Sequence, residues 1–206
     1  MENIQTTRSL KTILVTTTRA YSDGSSVAAD IATMVAHNGK RVALLDADLR
    51  CPLVHNLFNL PNRVGLIDIL HGQRSLSGVI HSVNSNHLFV LTAGQSTKGK
   101  SDPFTSSKMA KLISQLNSDF DKIIIHGPPF FYTEATTLAT KVDGVVLLIH
   151  PGHTKSDTSR AIMDKFQKTG AKIIGIVMRN QPKYQMNQSA FIDKLLTFDR
   201  RARLAP

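Results

Sequence analysis

Short, almost unbroken apolar runs recur along this sequence: Ile13-Leu14-Val15, Val42-Ala43-Leu44-Leu45, Leu88-Phe89-Val90-Leu91, Ile123-Ile124-Ile125, a run over 144–149 and another over 172–178. A strand with one face in water alternates apolar and polar residues, so a run that is apolar at every position belongs to a strand buried on both faces. Helical spacing fills the gaps. Residues 25–37 place Val27, Ile31 and Met34 on one face with Ala28 and Ala29 between, and Gly39 supplies a stop. Residues 104–120 read as an amphipathic helix through Met109, Leu112, Ile113 and Leu116, and 135–140 and 156–169 read as further helices, the last closed by Gly170. Residues 53–82 also carry helix-like periodicity, with turns at Asn62 and Gly72. Strand alternating with helix predicts an α/β fold: a mostly parallel sheet with helices on both faces, opening with a βαβ unit over 11–46.

The 206 residues are expected to form a single domain, with no internal repeat or interdomain linker. Cys51 is the one cysteine, so no internal disulfide is possible, which fits a reducing cytoplasm. No apolar run approaches the roughly 20 residues needed to cross a bilayer, and the first residues lack an apolar signal core. A net charge of +10 favours acidic partners: nucleic acid, anionic lipid or an acidic protein segment. With three tyrosines and no tryptophan there is no base-stacking platform. Residues 187–206 form a candidate C-terminal amphipathic helix, with Phe191, Leu195 and Phe198 on one face and Arg200, Arg201 and Arg203 after it. Such a stripe either lies on a membrane surface or packs on its own sheet. The second is preferred because the helix is short.

Chemistry concentrates where the 42–45 strand ends, in Asp46-Ala47-Asp48-Leu49-Arg50-Cys51-Pro52. In open α/β sheets ligands gather at the carboxyl ends of the strands. A single Asp there reads as a turn cap. Two carboxylates one residue apart suggest a divalent cation, a phosphate donor or a general base. The strand, polar turn and small-residue helix over 11–37 are placed like a phosphate loop, yet the string G-x-x-x-x-G-K-[ST] is absent and no lysine lies between Arg19 and Lys40.

Taken together, residues 11–180 resemble the cytoplasmic domain of bacterial tyrosine kinases (BY-kinases), in the MinD/ParA branch of P-loop proteins. The likeness is carried by the string from Leu44 through Asp46, Asp48, Arg50 and Pro52 to His71-Gly72, and by Leu91-Thr92-Ala93-Gly94. It continues in Ser107-Lys108-Met109, Pro128-Pro129, Val142-Asp143-Gly144-Val145-Val146 and Gly175-Ile176-Val177-Met178. It implies a MinD/ParA-type P-loop NTPase fold with ATP or ADP and Mg²⁺ as the family's ligands. It further implies catalytic roles for Asp46, Asp48 and Arg50, nucleotide contacts from Gly24, Ser25, Ser26 and Asn180, and Mg²⁺ held by Ser25 and Asp48.

The departures from that pattern are substantial. Without gaps, the family's loop falls on Ala20-Tyr21-Ser22-Asp23-Gly24-Ser25-Ser26, so Gly24 stands at the lysine position and Asp23 at the preceding glycine; a one-residue deletion would instead keep Gly24 and remove the lysine. A carboxylate in a space meant for phosphate costs on the order of several kcal/mol when confined. Where the family ends its Walker B strand in Asp, this chain has His126-Gly127-Pro128-Pro129, and imidazole is a poor ligand for Mg²⁺. At the last strand Arg179-Asn180 reverses the family's order. Residues 1–10 are too short for the family's oligomerising helix, and no tyrosine follows Tyr184. Asp46, Asp48 and Arg50 are therefore expected to be vestigial, with Arg50 able to neutralise the acidic pair.

The function expected from the resemblance is a catalytically degenerate BY-kinase-like protein acting by protein–protein contact in exopolysaccharide or capsule synthesis and export, with no cofactor required. It would sit in the cytoplasm at the inner face of the plasma membrane. Its partners would be the cytoplasmic segment of a membrane polysaccharide co-polymerase or chain-length regulator and an active kinase paralogue. Two alternatives stay open. One is a residual ATPase or tyrosine kinase using Arg19 in place of the lysine. The other, ranked last, is a ParA/MinD-like binder of DNA or a membrane surface.

Overall fold

A computed structural model describes residues 10–20, 23–83, 87–95, 102–150, 164 and 168–178. The apolar runs form strands: β1 (Thr12–Thr17), β2 (Val42–Asp46), β4 (Leu88–Leu91), β5 (Lys122–His126), β6 (Gly144–Ile149) and β7 (Ile173–Met178). A short strand, β3 (His81–Val83), precedes β4. They make one sheet in the order β3-β4-β2-β5-β1-β6-β7, parallel throughout except for the antiparallel β3–β4 pair at one edge.

Each face of the sheet carries its own core. On one face Ile13, Val15, Leu44, Ile124, Val146 and Leu148 pack against Val27, Ile31, Ala32 and Val35 of α1 (Gly24–His37). On the other, Leu14, Leu45, Ile123 and Ile125 pack against Met109, Leu112 and Leu116 of α4 (Ser107–Asp119), with Leu66 and Leu70 of α3 (Leu66–His71). The alternation along each strand assigns its residues to the two faces in turn. Because both sets are apolar, the strands read as continuous runs.

The predicted helical stretch 53–82, with turns at Asn62 and Gly72, holds in part and is corrected after Gly72. It contains α2 (Val54–Leu57), α3, a single 3₁₀ turn (Leu76–Gly78) and then β3. The periodicity came from several short pieces that each bury a few apolar residues. The helix predicted from 104 begins at Ser107, after a 3₁₀ turn (Pro103–Thr105) whose first N–H groups are served by Asp102. The helix predicted over 135–140 is α5 (Thr133–Ala139). Most of the helix predicted at 156–169, the 187–206 segment and Asn180 lie outside the described residues. Among the described residues no helix is long and apolar enough to cross a membrane.

Candidate functional site

The site is built by strand register. β2 and β5 are parallel neighbours, and the pairing that aligns Leu44 with Ile124 also aligns Asp46 with His126. With a period of two, Asp46 projects to the same face as Leu44, and His126 to the same face as Ile124. That is the face covered by α1. Both side chains therefore emerge at the carboxyl edge of the sheet beneath the start of that helix, together with Thr17 at the end of β1.

There they bond to each other. His126 Nδ1 lies 3.0 Å from Asp46 Oδ1, with the carboxylate fully buried and the ring nearly so. An ionised carboxylate only accepts, so the ring nitrogen is the donor and Nδ1 carries the proton. Asp46 Oδ1 also accepts from the Asp48 N–H at 3.3 Å, while Oδ2 accepts from the N–H groups of Leu53 at 3.1 Å and Val54 at 3.0 Å. The latter two bonds satisfy donors at the start of α2. A carboxylate offers about four lone-pair sites, and all are used.

Asp48 Oδ1 accepts from the N–H groups of Arg50 at 3.3 Å and Cys51 at 3.2 Å, which shapes the turn leaving β2. Burial pushes its carboxyl above the ordinary aspartate value; the His126 ring and the Cys51 N–H oppose the shift, and Asp46 adds to it. Arg50 does not neutralise the acidic pair as expected. Its guanidinium crosses to α5, with Nη2 at 2.6 Å and Nε at 3.2 Å from Glu134 Oε1, and lies 4.4 Å from the centre of the Tyr132 ring. The turn carries residue 50 away from residues 46 and 48, and a carboxylate in reach of a planar fork wins the contact.

Gly24, Ser25 and Ser26 open α1, the first two buried. A side chain on Gly24 would place its Cβ 2.6 Å from Thr17 Cγ2 and 3.2 Å from His126 Nε2. The glycine is thus required by the close approach of α1 to β1 and β5. Asp23 stands at the N-cap position without a capping bond from its side chain. A small cleft beside this point is lined by Thr17, Arg19, Asp48, Cys51, His126 and Pro129. Of the sequence-predicted residues, the fold brings Gly24 and Asp46 onto His126 and Asp48 into the same cleft. It sends Arg50 elsewhere. Sequence reasoning missed Thr17, Glu134 and Tyr132, none of which carries a motif or spacing signal.

Mg²⁺ seeks near-octahedral oxygen ligation. Asp46 has no lone pair left for it, and the position expected to hold an acid presents an imidazole. Among the described residues no three His, Cys, Asp or Glu side chains cluster to hold a metal. The donor set does not fit the cation that the family relationship makes the natural one to test, although Ser25 and Asp48 remain nearby.

A family model described as ParA: NUBPL iron-transfer P-loop NTPase matches residues 10–199. Tyrosine-protein kinase YwqD of Bacillus subtilis (strain 168) is 31% identical over 175 residues, covering 84% of this chain and 74% of that protein. Among solved structures, the chimerical protein CapA2B2 is 28% identical with a TM-score of 0.79, covering 85% of this chain and 77% of that one. The kinase domain of Escherichia coli tyrosine kinase ETK has the same TM-score of 0.79 at 23% identity, covering 88% and 72%, a likeness of fold. By its family model, its sheet and its relatives, this chain belongs to the ParA-type P-loop NTPases, on their bacterial tyrosine kinase branch.

Proposed function

We propose that this protein is a catalytically degenerate BY-kinase that works through protein–protein contact in exopolysaccharide or capsule synthesis and export. The observation that carries this reading is the Asp46–His126 pair. Phosphoryl transfer is mostly positioning and charge neutralisation, and the groups that would neutralise phosphate are missing. No lysine stands in the loop, and at the Walker B position a ring nitrogen bonds to Asp46 at 3.0 Å. Asp46, Asp48 and Arg50 then persist as vestiges whose visible duties are to hold the turn and α2. Gly24, Ser25 and Ser26 form the corresponding degenerate nucleotide site, with Asn180, outside the described residues, as its expected further contact. The partner is the cytoplasmic segment of a membrane polysaccharide co-polymerase, alongside an active kinase paralogue, at the inner face of the plasma membrane.

Calorimetry with Mg·ATP and Mg·ADP, paired with a phosphorylation assay on a tyrosine-containing co-polymerase segment, tests the proposal. The expected result is no turnover, with the segment still binding. Micromolar nucleotide affinity with measurable ATP turnover would sink it. One observation favours a second reading: Arg19 lines the cleft and its guanidinium is able to contact phosphate. A residual ATPase would then lose its turnover in R19A.

A further inference from the structure

We infer that the imidazole of His126 fills the seat beneath α1 that a divalent cation would need, so that this site is closed to Mg²⁺ and Mn²⁺ and a single substitution at residue 126 reopens it. The inference reaches beyond loss of phosphoryl transfer, since an inactive relative can still hold a metal. It rests first on position. Asp46 and His126 are register partners on neighbouring strands, and both point under the helix that opens with Gly24 and Ser25. The ring spans the gap: Nδ1 is 3.0 Å from Asp46, and Nε2 is 3.2 Å from where a Cβ on Gly24 would stand.

Charge and donor chemistry agree with position. The start of a helix carries partial positive charge, which disfavours a cation at the opening of α1, although Asp23 stands at its N-cap. Asp46 spends its lone pairs on four donors. Asp48 has one oxygen engaged by two N–H groups, and among the described residues its other oxygen is the one carboxylate oxygen of this pair without a bond. One such oxygen and a ring nitrogen do not make the oxygen shell that a hard cation requires.

Replacing His126 by Asp removes the Nδ1 donor, shortens the side chain and sets a second carboxylate against the buried Asp46. Two like charges at that distance demand a neutralising ion or a proton. H126D should therefore acquire a metal where the parent has none. Manganese titration followed by electron paramagnetic resonance, without nucleotide, reads this directly and independently of any turnover. The parent is expected to leave millimolar Mn²⁺ free. H126D is expected to bind one ion at least tenfold more tightly and to gain thermal stability from Mn²⁺. Where H126D does not fold, H126E replaces it, because it likewise removes the Nδ1 donor and supplies a carboxylate oxygen; a tenfold gain in Mn²⁺ affinity again supports the inference. Submillimolar binding of one Mn²⁺ at this site by the parent overturns it. So does a folded variant at residue 126 whose Mn²⁺ affinity is unchanged.

Discussion

Removing the Asp46 carboxylate should destabilise the protein as severely as emptying part of its core. In D46A four donors lose their acceptor: the N–H groups of Asp48, Leu53 and Val54, and His126 Nδ1. Leaving a buried donor unsatisfied costs about 1–3 kcal/mol. The Asp48 bond is long at 3.3 Å and the Leu53 N–H is partly accessible, so both fall at the low end. The Val54 and His126 donors are buried and belong in mid-range. The expected loss is about 6 kcal/mol, a large share of the roughly 5–15 kcal/mol available to a folded domain. For a chain of this size it corresponds to a fall in Tm of about 10 °C or more.

D46N separates hydrogen bonding from shape. Its carbonyl oxygen can keep Leu53 and Val54, which turns its NH₂ group toward His126. The imidazole can then move its proton to Nε2 and accept at Nδ1. The Asp48 N–H has no such option. D46N should therefore lose about 1–2 kcal/mol, less than half the cost of D46A. Equilibrium urea unfolding gives both values, and ¹⁵N chemical shifts of the His126 ring report the change of tautomer. A D46A loss below about 1 kcal/mol, or D46N and D46A of equal cost, refutes the assignment of Asp46 as a hub of buried bonds.

Other consequences are measurable. Burial raises the Asp48 carboxyl, so between the ordinary aspartate value and the raised one the folded protein keeps a proton that the unfolded chain has released, and stability falls as pH rises through that window. D48N should accordingly be more stable than the parent at neutral pH, with the gain vanishing in acid; urea midpoints across pH that show the opposite trend contradict the burial argument. The Arg50–Glu134 pair has its guanidinium 56% exposed. An R50A/E134A double-mutant cycle should give a coupling of about 1 kcal/mol or less that shrinks further with salt. Writing the missing lysine back at its ungapped position, G24K, should cost about 1–3 kcal/mol and restore no ATP turnover, because a Cβ there meets Thr17 Cγ2 at 2.6 Å. Turnover regained in G24K alone would show that the cation was the one missing part.

The strands were legible because a parallel sheet covered on both faces leaves its residues no polar alternative, and Leu44 and Leu45 are buried on opposite sides of it. β3 was not legible: it has three residues, is partly exposed and sits on an edge. The expected turn at Gly72 does close α3, but the stretch after it was misread as helix because Leu76 and Val79, spaced by three around a 3₁₀ turn, mimic a helical face. At the site, residue types and positions could be read but partners could not. Asp46 and His126 are 80 positions apart and meet because β2 and β5 are neighbours, an order that no local periodicity encodes. Arg50 was matched to the nearest opposite charges in sequence, whereas the turn after β2 hands it to Glu134 on α5.

The same geometry bears on how a surviving acidic motif should be interpreted. In this chain Asp46 has a structural task, since it ties the end of β2 to the start of α2 with buried bonds. Gly24 has one here too, because α1 approaches β1 and β5 too closely for a side chain. Asp46 therefore does not by itself distinguish an enzyme from a scaffold. On the proposed reading the discriminating positions are the loop lysine that the resemblance leads one to expect and the acid expected at the end of β5, where this chain has a ring bonded to Asp46. Once that ring is in place the changes reinforce one another. Thr17 Cγ2 and, less closely, the ring crowd the start of α1, so a larger residue at position 24 clashes first with Thr17. The ring also occupies Asp46, so restoring a metal ligand elsewhere leaves the carboxylate engaged. On the proposed degenerate reading, a working phosphate-handling site would require residues 24 and 126 to change together, and single substitutions at either should meet a stability cost before any catalytic gain.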